Sequence, residues 1–182
     1  MCYGTALGII RAAWERGRCV QVIATETRPA FQGARLTCFE LKNDNIPVTL
    51  ITDSMVGYVM QKGLIDKIIV GADRITKSGY TFNKIGTYQI SALAQIHKVP
   101  FYIAAPISTF DQTTEYKDVI VEERRVEEVV KINEKRIAPK GIKVLNPAFD
   151  MTPPEFITGI ITDKGLLLPP YEESIRSIFN IK

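Results

Sequence analysis

The sequence is poor in the residues that build metal sites and disulfide frameworks. It contains three cysteines, Cys2, Cys19 and Cys38, and one histidine, His97. The cysteines are odd in number and have neither CxxC spacing nor nearby histidine ligands, so neither a disulfide framework nor a zinc site is predicted. A single histidine also excludes multi-histidine metal centres. We therefore expect no metal and a protein of the reducing cytoplasm.

Long apolar runs and a strong excess of one charge are also missing. No apolar stretch approaches the roughly 20 residues that a bilayer-spanning helix needs. The start, "MCYGTALGIIRAAWERG", has the pattern of an amphipathic helix rather than a secretory signal. Lys and Arg outnumber Asp and Glu by only 23 to 20 and are spread along the chain. We expect neither a membrane nor a nucleic acid as a partner.

Two nucleotide-binding motifs are absent as well. There is no GxGxxG after the first predicted strand and no GxxxxGK[ST], so a nucleotide-binding loop is not predicted. What the chain does have is 182 residues with 46% hydrophobic content. That is enough to bury one sizeable core, and a single domain over residues 1–182 is the expectation.

Predicted helices and strands alternate along the first part of the chain. Helical spacing of apolar residues predicts a helix from Thr5 to about Arg16. The predicted strands that follow are 19–25, 46–52, 66–72 and 100–106, with helices at 34–44, 53–63 and around 90–97 between them. Continuous apolar strands separated by helices imply an α/β fold, with a parallel sheet covered by helices on both faces.

The second part of the chain is less regular. The charged stretch "VEERRVEEVVKINEKR" predicts a solvated loop or helix. The segments "GIKVLN" and "FITGIIT" predict two further short strands. The tail "PPYEESIRSIF" predicts a closing helix with proline near its first turn.

Polar residues follow several of these strands. In an open parallel sheet, ligands bind beyond the carboxyl ends of the strands. Asp73 lies at such an end, and the segment "NKIGT" (83–87) is predicted to begin a helix whose free N–H groups attract an anion. Lys84 adds a full charge there, and Asn83 and Gln32 are suitable partners for hydroxyls. Further polar residues at strand ends are Glu26, Arg28, Asp53 and 108–111. The pattern favours a phosphate or a phosphorylated sugar.

Each of these residues also has a structural interpretation. An aspartate at a strand end is more often a turn or cap residue than a catalyst. Lys84 is equally consistent with a solvated charge, Asn83 with a helix cap and Arg28 with an ion pair to Glu26. The residues alone therefore predict a phosphate-binding α/β crevice and nothing more specific.

Longer motifs add a family resemblance. The segments that carry it are "YGTALGIIRAAWERG", "ETRPAFQGARLTCFEL", "IPVTLITDSMVGYVM", "IIVGADRI", "NKIGTYQISALAQIHKVPFYIAAPISTFD", "VEERRVEEV" and "KVLNPAFDMTPPEFITGIITDKG". In order and spacing they resemble the methylthioribose-1-phosphate isomerases, over nearly the whole chain. That superfamily also includes ribose-1,5-bisphosphate isomerases and regulatory subunits of translation initiation factor 2B.

The resemblance implies a Rossmann-like fold, a homodimer and an aldose–ketose isomerase without metal or organic cofactor. Its substrate would be a 1-phosphorylated pentose, namely 5-methylthioribose 1-phosphate. The aspartate of "GAD", Asp73, would be the catalytic acid/base, and Gln32, Asn83 and Lys84 would bind substrate. "QGARLT" and "AAPISTFD" resemble the methylthioribose enzymes more than the bisphosphate isomerases. The presence of Asp73 with Asn83 and Lys84 is unlike a purely regulatory subunit.

One departure from the family pattern concerns the N-terminal side. The family places a catalytic cysteine in a "Cys-Asn-x-Gly" segment just upstream of "YGTALG", behind a helical N-terminal domain. Cys2 lacks the following Asn-x-Gly and is not assigned that role. The resemblance thus predicts a domain without the family's helical N-terminal domain. It is either part of a longer enzyme, inactive alone, or a protein that has lost the activity.

Overall fold

The structure, a computed structural model, describes residues 4–179, so Cys2 lies outside the described residues. The helices are α1 (Thr5–Glu15), α2 (Cys38–Asn43), α3 (Val56–Gln61), α4 (Thr87–His97), α5 (Val126–Val130) and α6 (Tyr171–Phe179). The first six strands are β1 (Val22–Thr25), β2 (Val48–Ile51), β3 (Ile68–Val70), β4 (Arg74–Thr76), β5 (Thr81–Lys84) and β6 (Phe101–Ala104). The others are β7 (Phe110–Asp111), β8 (Lys131–Ile132), β9 (Lys135–Arg136), β10 (Phe149–Thr152), β11 (Gly159–Thr162) and β12 (Gly165–Leu167).

The predicted helices and strands from α1 to β6 are confirmed in order, but the unpredicted strands β4 and β5 lie between β3 and α4. Each confirmed strand is shorter than its apolar run. β1 pairs in parallel with β2. β3, β6 and β11 form a second parallel group, and β12 adds to its edge in antiparallel orientation. The fold is therefore α/β. Parallel pairing occurs in three separate sheets, as β1–β2, as β3–β6–β11 and as β4–β7, instead of in the one continuous sheet that the sequence predicted.

A four-stranded sheet that the sequence analysis did not predict lies beside the parallel strands. Its order is β10-β5-β4-β7, with β4 antiparallel to β5 and β5 antiparallel to β10. These strands are two to four residues long and largely polar, so they give no apolar run and no clear alternation. This sheet matters for function because β4 follows Asp73 directly and β5 contains Asn83 and Lys84.

The beginning of α4 corrects a prediction. Asn83 and Lys84 end strand β5 and do not open a helix; α4 begins at Thr87, after Gly86. Gly86 has a φ of 103°, a backbone conformation that glycine adopts without the steric cost of a Cβ. The "NKIGT" segment is thus a strand end, a turn and a helix start in succession.

Predictions for the second part of the chain are partly confirmed. "FITGIIT" contains β11, and the tail forms α6, with two prolines before it. The strand predicted at "GIKVLN" is wrong, because residues 141–146 are irregular and the strand, β10, begins at Phe149. The charged stretch forms the short helix α5 and the small β8–β9 hairpin, so the helix was predicted and the hairpin was not.

The apolar core lies around β6 and β11. Ile103 and Ile160 are fully buried in these strands, and Phe101 and Ile175 are 1% exposed. The closing helix α6 is fixed to this core by Tyr171, whose hydroxyl donates to the Ile157 carbonyl at 2.8 Å. Burial raises the pKa of the Tyr171 phenol. Among residues 4–179, no helix is both long and apolar enough to cross a membrane.

Candidate functional site

Asp73 lies between β3 and β4, where the chain passes from the parallel group β3, β6 and β11 into the mixed sheet β10-β5-β4-β7. Its backbone N–H donates to the Phe82 carbonyl at 2.9 Å, which fixes it beside β5. Its side chain is exposed, and no described residue forms a hydrogen bond with its carboxylate. Partial removal from water raises the pKa of the carboxyl, and the charges of Lys84 and Arg124 oppose that rise. The group is thus near solvent, near cations and free of cap contacts.

Lys84 ends β5 with its ammonium group enclosed. Its Nζ atom is buried and has no hydrogen-bond partner among residues 4–179. Desolvation lowers the pKa of the amine, and Arg124 lowers it further, whereas Glu128, Asp73 and Glu122 act to raise it. A buried ammonium without a partner costs free energy, so this atom is prepared to donate to a ligand oxygen.

Asn83 is attached to the start of α4. Its Nδ2 donates to Thr87 Oγ1 at 2.9 Å, and that hydroxyl donates to the Lys84 carbonyl at 2.7 Å. The amide oxygen of Asn83 accepts no hydrogen bond from the described residues. Asn83 is therefore held from one side and keeps its acceptor for a ligand.

The N-terminus of α4 is already occupied by a carboxylate, which corrects the predicted anion site there. Asp150, from β10, accepts hydrogen bonds from the backbone N–H groups of Gly86 at 2.7 Å and Tyr88 at 3.0 Å. Burial raises the pKa of the Asp150 carboxyl, while these two backbone donors counteract the rise. Asp150 acts as the cap of α4 from another strand, so the free donor at this corner is Lys84 Nζ and not the helix end.

Gln32 lies directly before a π-helical turn formed by Gly33–Thr37. Its Oε1 is buried and has no hydrogen-bond partner in the described chain. Gly33 allows this placement, because a Cβ there would lie 1.8 Å from the Thr25 carbonyl oxygen. Gln32 thus presents an unused acceptor beside the carboxyl end of β1.

Asp53 has a structural role. Its two carboxylate oxygens accept from the backbone N–H groups of Thr27 at 2.9 Å and Arg28 at 2.7 Å. Arg28 in turn donates to the Val129 carbonyl at 2.9 Å. Within residues 4–179 it forms no ion pair with Glu26, so that interpretation is wrong. The loop after β1 is thereby fixed between β2 and α5.

Asp111, in the group after β6, is also used internally. Its Oδ1 accepts from Thr113 and Thr114, and its Oδ2 accepts from Arg74 at 3.1 Å. The hydrogen bonds from Thr114 and then Thr113 hold the pKa of the Asp111 carboxyl far below its usual range. Such a carboxylate stays ionised and is unsuited to acid/base catalysis near neutral pH.

A cleft of about 130 Å³ lies between the loop after β1 and the end of β5. Asn83 and Lys84 line it, and Asp73 and Gln32 do not. The other lining residues are Thr25, Thr27, Asp53, Val56, Val70, Ile85, Gly86, Thr87, Gln89 and Ile90. Asp73 interacts electrostatically with Lys84, which lines the cleft. No group of three or more His, Cys, Asp or Glu side chains among the described residues is arranged to hold a metal ion.

Three residues of this region were missed by the sequence analysis. Asp150 lies in an unpredicted strand, and Arg124 and Glu128 lie in a stretch that was interpreted as solvated. The only available signal was the presence of both charge signs in "VEERRVEEV". Long-range pairing, not local pattern, brings these residues to Lys84.

Comparison with known proteins extends these observations. The family described as "Initiation factor 2 subunit family" matches residues 1–169. A methylthioribose-1-phosphate isomerase of Carboxydothermus hydrogenoformans is 56% identical over 181 residues, 99% of this chain and 53% of that protein. One from Thermotoga neapolitana is 57% identical over 180 residues, 98% of this chain and 52% of that protein. The chain spans about half the length of the curated relatives it matches.

Two solved structures have a fold similar to that of this chain. The 5-methylthioribose 1-phosphate isomerase of Pyrococcus horikoshii OT3 has a TM-score of 0.95 at 43% identity, covering 98% of this chain and 50% of that one. The translation initiation factor eIF-2B, subunit delta, of A. fulgidus has a TM-score of 0.92 at 55% identity, covering 95% of this chain and 52% of that one.

Proposed function

The chain belongs to the initiation factor 2 subunit family, and we propose that within this family it is the catalytic domain of an aldose–ketose isomerase. The substrate is a 1-phosphorylated pentose, 5-methylthioribose 1-phosphate, and the product is 5-methylthioribulose 1-phosphate, as in methionine salvage. The observation that carries the proposal is the identity of 56% and 57%, over nearly all of this chain, with relatives named for that reaction.

The proposed chemistry needs an acid/base at the reacting carbons. The phosphate on C1 prevents simple opening to a free aldehyde, so the site must assist ring opening and then move hydrogen between C1 and C2. Asp73 has the properties for this step, because its carboxylate is uncommitted and its pKa is raised by partial desolvation. A carboxyl with a pKa closer to neutrality exchanges protons more effectively under cellular conditions.

We assign substrate binding to side chains whose hydrogen-bonding atoms have no partner among the described residues. Lys84 Nζ, buried and without a partner among the described residues, donates to the phosphate. Gln32 Oε1 is also buried without a partner among the described residues, and it accepts from a sugar hydroxyl. The amide oxygen of Asn83 accepts from another. Together these three residues supply one cation and two acceptors for the substrate.

The remaining features of the proposal concern the whole protein. We propose a single Rossmann-like domain over residues 1–182, a homodimer and a cytoplasmic location, with neither metal nor organic cofactor. The parallel group β3, β6 and β11 supports the Rossmann-like assignment. The relatives' names support the isomerase assignment.

A second candidate function is a non-catalytic regulatory subunit of the initiation factor 2B type. The observation that favours it is the similarity to the A. fulgidus translation initiation factor subunit, which is 55% identical to this chain. Such a protein would bind other proteins and would not turn over a sugar phosphate. The uncommitted Asp73 and Lys84 favour the isomerase, because a purely regulatory surface has no need of an unpartnered buried ammonium.

An isomerisation assay separates the two candidates. The full-length gene product is incubated with 5-methylthioribose 1-phosphate, and formation of the ketose is followed by ¹³C NMR at C2. The isomerase proposal predicts conversion to a ketose at catalytic rates. Absence of conversion together with stable binding to purified initiation factor 2 would replace it with the regulatory function.

A further inference from the structure

A segment outside the predicted site carries charges that act on Lys84. This strap, residues 122–128, is paired with residues 146–148: Arg124 N donates to the Asn146 carbonyl at 2.9 Å, and Ala148 N donates to the Glu122 carbonyl at 2.8 Å. The Ala148 carbonyl in turn accepts from Ile85 N at 3.0 Å. The strap is therefore attached through one intervening segment to the residue that follows Lys84.

The strap is fixed by a buried asparagine. Asn146 is 3% exposed, and its Nδ2 donates to the Arg125 carbonyl at 2.8 Å and to Glu128 Oε2 at 3.1 Å. Its backbone N–H donates to Glu123 Oε1. Asn146 thus holds four strap residues, Glu123, Arg124, Arg125 and Glu128, which fixes the backbone of the strap at Arg124.

Among residues 4–179, the guanidinium of Arg124 forms an ion pair with Glu122 but no hydrogen bond. Its Nε is buried without a hydrogen-bond partner, and the guanidinium donates no hydrogen bond to any of residues 4–179. The nearest carboxylate oxygen, Glu122 Oε1, is 3.4 Å from Nε, and the Glu122 side chain is 58% exposed. Arg124 is nevertheless close enough to act electrostatically on both Lys84 and Asp73.

Lys84 Nζ and Arg124 Nε donate no hydrogen bond to the described residues, and the charges of both side chains act on the carboxylate of Asp73. Three carboxylates, those of Glu128, Asp73 and Glu122, also act on Lys84, but Glu128 is occupied by Asn146 and Glu122 is open to solvent. An arginine presents parallel N–H donors that match phosphate oxygens, which a lysine does not. If C1 and C2 of the substrate react at Asp73, the phosphate on C1 lies near the cations that act on Asp73.

We propose that Arg124 is a further substrate-binding residue, which donates to the C1 phosphate beside Lys84. This inference rests on the proposed isomerase function and adds a residue to its binding site. Arg124 contacts the substrate from the strap, whereas Lys84 contacts it from β5. The phosphate is thus held between two segments that are 40 positions apart in the sequence.

The test compares Arg124→Gln with Arg125→Gln in the full-length gene product. Arg125 is the matched control, because it is the neighbouring residue, its side chain is exposed and no described residue contacts that side chain. Inhibition by inorganic phosphate and KM for 5-methylthioribose 1-phosphate are measured, with thermal unfolding as the check of folding. Losing a charged hydrogen bond predicts that R124Q weakens phosphate inhibition and raises KM by about tenfold or more. R125Q is expected to stay within about twofold of the parent, the range for a surface change.

Each outcome bears on the proposal. If R124Q is folded and both values stay within about threefold of the parent while Lys84→Ala weakens both, Arg124 is not a substrate contact and the isomerase function stands. If the parent protein neither converts the sugar nor responds to phosphate, the proposed function fails and this inference fails with it. If R124Q does not fold, Arg124→Lys replaces it. A lysine keeps the charge but not the fork, so an intermediate loss supports the contact and an unchanged phosphate affinity contradicts it.

Discussion

Asp73 directly precedes β4 and Lys84 ends the paired strand β5, and each changes the protonation equilibrium of the other. The lysine lowers the pKa of the aspartate and the aspartate raises the pKa of the lysine, yet desolvation is the larger effect on both. The pKa of Asp73 is raised overall and that of Lys84 is lowered overall. Both groups therefore lie where their charged forms cost free energy, which a purely structural role would not require.

The first prediction concerns the pH dependence of stability at Asp73. Its pKa in the folded protein lies above the ordinary value of 3.8, so its stabilising contribution is present below about pH 3.8 and is lost as the pH rises through the folded pKa. Asp73→Asn removes this dependence. At pH 7 the variant should be as stable as the parent or more stable, and that advantage should vanish in acid. Urea unfolding at about pH 3.5, about pH 5 and about pH 7 measures it. A variant that is less stable at pH 7 would show that the carboxylate supports the fold.

The second prediction concerns phosphate binding by Lys84. Lys84→Ala should weaken sugar-phosphate binding by about 1.5 to 3 kcal/mol, the range for hydrogen bonds to charged groups. Titration calorimetry with 5-methylthioribose 1-phosphate measures the change. Lys140→Ala is the control, since Lys140 is exposed and contacts no described side chain. Equal affinities for both variants would remove Lys84 from the site.

The third prediction concerns the cap of α4 by Asp150. Asp150→Ala leaves the N–H groups of Gly86 and Tyr88 without their acceptor. Loss of a helix cap costs about 0.5 to 2 kcal/mol, so the free energy of unfolding should fall by that amount. Denaturant unfolding measures it, and Asp66→Ala, at an exposed residue without contacts to described side chains, should stay within about 0.5 kcal/mol of the parent. A loss no larger than that of the control would show that Asp150 does not cap the helix.

The fourth prediction concerns the close packing at Gly33. An added Cβ would lie 1.8 Å from the Thr25 carbonyl oxygen and 2.8 Å from Thr27 Oγ1, so the loop that carries Gln32 must move. Gly33→Ala should destabilise the protein by about 2 kcal/mol or more and weaken substrate binding. Gly57→Ala is the control, because its nearest neighbour, Leu93, is 3.9 Å away and an alanine in helix α3 stabilises by about 0.5 to 1 kcal/mol. If both variants behave alike, the backbone at Gly33 is free to adjust.

The extent of successful prediction follows the strength of the local signal. Within residues 5–104, apolar runs indicated the strands and apolar spacing indicated the helices, and these elements are confirmed in order. The mixed sheet β10-β5-β4-β7 gave no such signal, because strands such as β4 (Arg74–Thr76) are short and largely polar and depend on pairing with other segments, including the distant β7. That is why Asn83 and Lys84 were assigned to a helix start.

For the candidate site, the structure bears on the placement of the predicted residues and not on their roles. Asn83 and Lys84 line one cleft, and Asp73 interacts with Lys84, which agrees with the predicted crevice. Gln32 does not line that cleft. Asp150 caps the N-terminus of α4 through Gly86, which lies 64 positions earlier in the sequence, and no local pattern predicts this contact. The same holds for the strap that brings Arg124 to Lys84. Their catalytic and binding roles remain predictions.

The most direct measurement of the central claim is kcat of Asp73→Asn in the full-length gene product with 5-methylthioribose 1-phosphate. Asparagine preserves the shape of the side chain but cannot exchange a proton, so an acid/base role predicts a fall in kcat of roughly 10² or more with little change in KM. Asp66→Asn, at an exposed residue, should leave kcat unchanged. If the Asp73→Asn enzyme is folded and turns over within a few-fold of the parent, Asp73 is not the catalytic acid/base.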